Sequence, residues 1–280
     1  MLTALVPPRL RDDFAAVYAF CRAADDLGDE AGDPALAREM LAWWRADLER
    51  AFDPDGSPRH PVFVALRETA RRHGLEAQPF HHLIDAFELD QEKSRYRTWQ
   101  EVLDYCRLSA DPVGRIVLSL FGHGRDHAAL ALSDAVCTGL QLANHWQDIR
   151  RDLEERDRIY VPLELHSIDR FEERLRATAA LGHAVDSTFL AESRELVRAL
   201  VEKTWPCFER GRGLLSRVSA EARPVIELFI EGGEAVLHRI EAWEYETVLH
   251  RPRVGRASKA FMVARAWVRA RMARGGSSRR

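Results

Sequence analysis

Gln141-Leu142-Ala143-Asn144-His145-Trp146-Gln147-Asp148-Ile149-Arg150-Arg151-Asp152 is the stretch on which the fold turns. Asn144, Asp148 and Asp152 stand four apart, and Gln141 lies three residues earlier, so four oxygen-bearing side chains share one face of a helix. Apolar residues keep the same three- and four-residue period on both sides, and one long helix is expected over roughly Asp126 to Glu155. A second acidic set, Asp25, Asp26, Asp29, Glu30 and Asp33, follows an apolar helical stripe through Leu10, Phe14, Val17, Cys21 and Ala24. Asp25 and Asp29, also four apart, hold like charges roughly 5–6 Å from each other, which destabilises a helix by a few tenths of a kcal/mol. A divalent cation between them reverses that sign. Mg2+ prefers oxygen ligands and commonly shares one or two carboxylates with substrate phosphate oxygens. Two such ladders facing each other between helices would hold Mg2+ and a diphosphate. Taken alone, each ladder is equally the solvated acidic end of a helix.

Outward from these ladders the chain repeats the helical period almost throughout, with no clean alternation of the kind a half-buried strand requires. The expected class is all-α. Pro7-Pro8 suits the entrance to a helix from Arg9 to Glu30, and Asp33-Pro34 reads as a cap and first turn. Asp53 to Pro61 is a loop, and Gly74 stops the helix that follows it. Thr98-Trp99-Gln100-Glu101 has capping-box spacing, while Asp111-Pro112 and Gly122 bracket a short helix. Further helices are expected over about Asp186 to Gly211 and Ser219 to Leu249, the latter bent by Pro224 and Gly232-Gly233. No repeat, linker or composition shift divides the 280 residues before the basic tail, so a single domain over 1–280 is expected.

The overall charge of −3 argues against a general nucleic-acid binder, and no apolar run approaches the roughly 18 residues that a membrane span requires. Cys21, Cys106, Cys137 and Cys207 form no C-x-x-C pair and read as reduced core thiols; with no export signal at Met1 to Pro8, the expected location is cytoplasmic. The near-neutral sum hides an asymmetry. From Thr247 onward there are ten Lys and Arg and no Asp or Glu, so a balance of −13 before it becomes −3. This basic stretch, expected to be a helix or tail over about 257–280 and carrying Phe261, Met262, Val263, Trp267 and Val268, suits either solvent or the anionic inner face of a membrane. Arg22 near the first ladder and Arg150, Arg151, Arg156 and Arg158 near the second are placed to meet phosphate oxygens, or to pair with neighbouring acids.

Tyr18-Ala19-Phe20-Cys21-Arg22-Ala23-Ala24-Asp25-Asp26-Leu27-Gly28-Asp29-Glu30, the Gln141 to Asp152 stretch, and Arg158-Ile159-Tyr160-Val161-Pro162 together resemble the squalene/phytoene synthase family. Tyr105-Cys106-Arg107 and Ala110-Asp111-Pro112-Val113-Gly114 extend the resemblance over most of the chain. In detail it is most similar to the bacterial hydroxysqualene branch associated with hopanoid pathways. The resemblance implies a class I isoprenoid synthase helical bundle with a central cavity and both Asp motifs at its mouth. It assigns Asp25, Asp29, Asp148 and Asp152 to Mg2+, and Gln141 and Asn144 to the polar row beside them. Tyr18, Arg22 and Tyr105 fall at positions that contact the diphosphate or the reacting carbons, and Tyr245 and Arg253 at the C-terminal equivalents. The implied reaction is ionisation of presqualene diphosphate and capture of the cation by water to give hydroxysqualene, with neighbouring hopanoid-pathway enzymes as implied partners. The alternative is head-to-head condensation of two prenyl diphosphates to presqualene diphosphate, squalene or phytoene. The family's N-terminal helix, with a Ser-Phe segment at the substrate site, has no counterpart before Pro7, so the expectation is either a truncated start or a diphosphate site that lacks a piece. A di-iron bundle would require Glu-x-x-His pairs, whereas Glu234 to His238 and Glu246 to His250 are four apart. A helical scaffold would leave the two ladders on unrelated surfaces.

Overall fold

Capping chemistry sets most of the helix boundaries. In the computed structural model, which describes residues 5–277, Asp33 accepts the Ala35 N–H to open a helix, Thr98 accepts that of Glu101, Asp126 those of Ala128 and Ala129, and Asp186 that of Phe189. Gly74, at φ 61°, ends its helix in the left-handed conformation that a side chain would resist. The helices among the described residues are α1 (Arg11–Asp29), α2 (Pro34–Phe52), α3 (Pro61–His73), α4 (Gln78–Leu89), α5 (Trp99–Ser109), α6 (Asp111–Leu120), α7 (His127–Gln147), α8 (Ile149–Arg156), α9 (Phe171–Leu181), α10 (Ser187–Gly211), α11 (Arg223–Ala242) and α12 (Arg256–Ser277). Among the described residues the only β pairing is one bridge, Arg95 with Ile159. The fold is all-α.

Three expectations change. The long helix breaks at Asp148, whose φ of −109° and ψ of 15° separate α7 from α8. There the 251–252 segment crosses: Arg251 holds the Asp148 carboxylate and the Gln147 amide donates to the Pro252 carbonyl. The bonds from Asp148 N to Asn144 O (2.9 Å) and from Asp152 N to Asp148 O (2.8 Å) survive, so the ladder is kinked, not lost. Pro224 starts α11 instead of bending it, and Gly232-Gly233 lie within an unbroken helix that stops at Ala242. α4 and α9 join the expected set; Ala77, just before α4, offers no capping side chain.

Two apolar clusters form the core. Phe20, Trp44, Phe63 and Phe80 join α1 to α4, while Leu142, Trp146, Leu200, Phe208 and Leu237 join α7, α10 and α11. α7 is the central helix, packed by α5, α6, α10 and α11. Close approach to it depends on missing side chains. A Cβ on Gly139 would lie 3.1 Å from the Phe208 ring, and one on Gly233 would run into the same ring, so Phe208 of α10 fills a notch cut in α7 and α11. Trp146, fully buried, donates to Thr204 Oγ1 at 2.9 Å and is therefore an interhelix packing residue.

Candidate active site

α1 delivers its acids through its contact with α4 at Gly28. A Cβ there would lie 3.5 Å from Phe87 of α4, and the Gln91 amide donates to the Gly28 carbonyl at 3.1 Å. This docking sets Asp29 near Asp90, the residue just past α4. The Arg95–Ile159 bridge, with Ile159 N donating to Ser94 O at 2.9 Å, lays the strand-like segment after α8 along the segment after α4. Arg158 and Tyr160 consequently arrive beside Asp90 and Tyr105.

These elements enclose a cavity of about 400 Å³ lined by Asp25, Asp29, Asp90, Tyr105, Ser109, Gln141, Asn144, His145, Asp148, Asp152, Arg156, Arg158, Tyr160 and Arg251, with Leu83, Ala86 and Phe87 behind them. Five carboxylates meet three guanidiniums. Arg156 joins the two ladders, 2.8 Å from Asp29 and 3.8 Å from Asp152. Arg158 bridges Asp90 (3.3 Å) and Asp29 (3.6 Å), and Arg251 grips both oxygens of Asp148. Deeper in, Tyr105 donates to Asp90 at 2.9 Å, and Tyr160 Oη stands 3.4 Å from Tyr105 Oη.

Crowding shows in the protonation equilibria. Burial lifts Asp152 to about 7, with Asp148 adding to the rise. Burial likewise raises Asp25, helped by Asp29, and lifts Asp90 to about 6 against the pull of Arg158. A site with surplus carboxylate and raised carboxyl pKa values gains by receiving a cation. Among the described residues no three acidic, histidine or cysteine groups converge closely enough to bind an ion by themselves. The donor set nevertheless fits Mg2+, which takes one or two carboxylates and completes its shell with water and phosphate oxygens. Arg156 places its own positive charge between Asp29 and Asp152.

A second, largely apolar chamber of about 740 Å³ shares Asn144 and Arg251 with the first. Leu140, Leu228, Phe229, Val236, Met262 and Val263 of α7, α11 and α12 line it, and Arg253, Arg256 and Lys259 stand among its walls.

Other positions singled out in the sequence fall elsewhere. Tyr18 is 69% exposed and lies seven residues, about 10 Å of helix, before Asp25; it does not line the cavity. Arg22, on the same α1 face, is at the rim, donating to Asp25 at 2.9 Å and pairing with Asp26. Tyr245 does not reach the cavity, because Glu244 (φ 52°) and Tyr245 (φ 63°) turn the chain back toward α10, where Arg198 covers the tyrosine ring at 5.0 Å. Arg253 lines the apolar chamber, and Arg251 meets the ladder in its place. Asp90, His145 and Arg251 are cavity residues that the sequence pattern did not single out. Arg150 and Arg151 pair with Glu154 and Glu155. Met1 to Ala4, at the short N-terminus, lie outside the described residues, as do the last three of the tail.

Residues 1–258 match the squalene/phytoene synthase family. The hydroxysqualene synthase of Sinorhizobium fredii is 34% identical over 76% of this chain and 68% of its own length. That of Zymomonas mobilis is 37% identical over 58% of this chain, a match spanning about half (53%) of the relative. Among solved structures, the squalene synthase HpnC from Alicyclobacillus acidocaldarius is 40% identical with a TM-score of 0.75, covering 88% of both chains. A dehydrosqualene synthase at 22% identity and a TM-score of 0.78 shares the fold over 97% of this chain and 90% of its own. With two aspartate ladders joined across one cavity and the match running through both, the chain is an enzyme of the squalene/phytoene synthase family.

Proposed function

We propose that this enzyme converts presqualene diphosphate to hydroxysqualene with Mg2+ at its mouth. The observation that carries the reading is the meeting of the α1 and α7–α8 ladders over one cavity that adjoins an apolar chamber. The relatives named hydroxysqualene synthases support this choice within the family. Asp25, Asp29, Asp148 and Asp152 would hold Mg2+, which withdraws electron density from the diphosphate and eases departure of the allylic or cyclopropylcarbinyl carbon. Gln141 and Asn144 offer amides to the diphosphate, and Arg156, Arg158 and Arg251 exchange carboxylate partners for phosphate oxygens. The hydrocarbon lies against the apolar walls of the adjoining chamber.

The lipid nature of substrate and product gives α12 a role. No helix among the described residues is long and apolar enough to cross a membrane. The outer side of α12, however, exposes Ala257, Phe261, Ala264 and Val268 in a 4-3-4 stripe, and its inner side walls the chamber with Lys259, Met262 and Val263. In this reading α12 rests on an anionic cytoplasmic membrane surface where neighbouring hopanoid-pathway enzymes work.

Incubation of purified protein with presqualene diphosphate and Mg2+, with products identified by mass spectrometry, tests the reaction. Hydroxysqualene and free diphosphate in equal amounts are expected. Turnover of farnesyl diphosphate alone would assign the chain to head-to-head condensation. Asp25→Asn and Asp152→Asn should each lower turnover by about 10²–10³ or more with unchanged helical circular dichroism. Retained activity would remove these residues from the metal site.

A further inference from the structure

We infer that His145 holds the water molecule that captures the carbocation, and takes the proton released when the alcohol forms. The inference rests on the hydroxysqualene reading. His145 follows Asn144 on α7, is 4% exposed, and contributes to the wall of the carboxylate cavity. Its ring is stacked on Tyr160 with centroids 3.7 Å apart and planes 22° from parallel, and it tilts against Tyr105 at 5.8 Å. Stacking fixes the ring. It does not satisfy Nε2, which is buried without a hydrogen-bond partner among the described residues. Buried polar atoms are almost always paired, and an unpaired one in a polar cavity marks the place of a water or ligand atom.

The surroundings identify that atom as water. Tyr160 Oη makes only long contacts, 3.4 Å to Tyr105 Oη and 3.5 Å to Asp90 Oδ1, and so retains capacity for a further partner near His145. Arg156, Arg158 and Arg251 are committed to carboxylates or phosphate, whereas the imidazole is uncharged, since burial pushes it down to about 3. A neutral imidazole presents a lone pair to a water proton without adding a second cation beside the carbocation.

The step balances. The carbon–oxygen bond to diphosphate breaks with its electron pair on the departing oxygen. A lone pair of the water oxygen forms the new carbon–oxygen bond at the rearranged cation. The resulting oxonium, a far stronger acid than even a buried imidazolium, gives its extra proton to His145, which passes it to the released diphosphate. Substrate and water become alcohol and hydrogen diphosphate.

Product partition tests this role, because a packing residue would change the rate without changing the product. With presqualene diphosphate as substrate, diphosphate release and the ratio of hydroxysqualene to hydrocarbon are measured for the wild type, His145→Phe and His145→Gln. The phenylalanine keeps the stack and loses the lone pair; the expected result is continued diphosphate release with the alcohol share reduced about tenfold or more as the cation loses a proton instead. Glutamine, with an acceptor oxygen, should restore most of the alcohol. If His145→Phe does not fold, His145→Met, apolar and adaptable in shape, gives the same readout. An alcohol share unchanged in the apolar variant, or diphosphate release and alcohol falling together, overturns the assignment. A wild-type enzyme that makes no hydroxysqualene overturns the functional reading itself, and is distinguishable because it needs no variant.

Discussion

Asp111 pays for its burial in a way that the cavity aspartates do not. It is 6% exposed, accepts a hydrogen bond from Thr138 at 2.9 Å, and among the described residues has no guanidinium bound to it. Burial, then the charge of Asp134, lifts it to about 7, against the weaker pull of Thr138, Arg115 and Arg107. A carboxyl raised in the folded state contributes stability that is complete below its unfolded value and disappears as pH rises through the folded one. The wild type should therefore lose up to about 4 kcal/mol between pH 4 and pH 8 from this residue. Asp111→Asn, which keeps an acceptor for Thr138, should flatten that slope in urea titrations across pH. An unchanged slope would refute the assignment. The ladder residues were legible because a four-residue spacing is itself a geometric statement. Asp90 and Arg251 were not, because their partners lie far away in sequence: Arg158 for Asp90, and Asp148 for Arg251. Tyr18 shares the α1 face of Asp25, but helical period alone does not say how far along that face the cavity extends.

At the scale of elements, the same division follows from local chemistry. Helices opened by an Asp or Thr cap could be read from the chain, whereas α4, preceded by uncapped Ala77, could not, and with it went Asp90; α9 escaped too, because Arg170 before it supplies no cap, although Gly182 ends it. The break at Asp148 was hidden because its cause, the crossing 251–252 segment, is tertiary. The glycine notch around Phe208 gives a direct test of packing. Gly233→Val would drive a branched side chain into the ring and Leu140, and should cost about 1–3 kcal/mol in thermal unfolding, while Gly232→Ala, with open space beside it, should be neutral or stabilising. For α12, Phe261→Glu with Val268→Glu should reduce flotation with anionic phospholipid vesicles by about tenfold or more, since Phe261 is 66% exposed and each buried apolar side chain contributes about 1.5–3 kcal/mol. Equal flotation of the double variant and the wild type would leave α12 as a solvated helix. Arg265 and Arg269 contribute less to such a surface than composition suggested, because they turn inward to Glu231 and Glu227.

The whole molecule gathers α1, α4, α5, α7, α8 and the 251–252 segment around one mouth in which three guanidiniums already pair with carboxylates. Mg2+ with inorganic diphosphate at about a hundred times its dissociation constant should stabilise the fold by about 2.7 kcal/mol. Either component alone should give less, as read from the thermal midpoint. Arg156, shared between Asp29 and Asp152, has a consequence for how this mouth responds to its medium. It makes the site an ion exchanger: a metal–diphosphate chelate trades guanidinium–carboxylate pairs for metal–carboxylate and guanidinium–phosphate pairs, both signs at once. Bare metal or bare diphosphate strands one half of each broken pair. Chelate affinity should then vary little with added salt, which screens old and new pairs alike, and the enzyme would select its ligand by demanding that both charges arrive together.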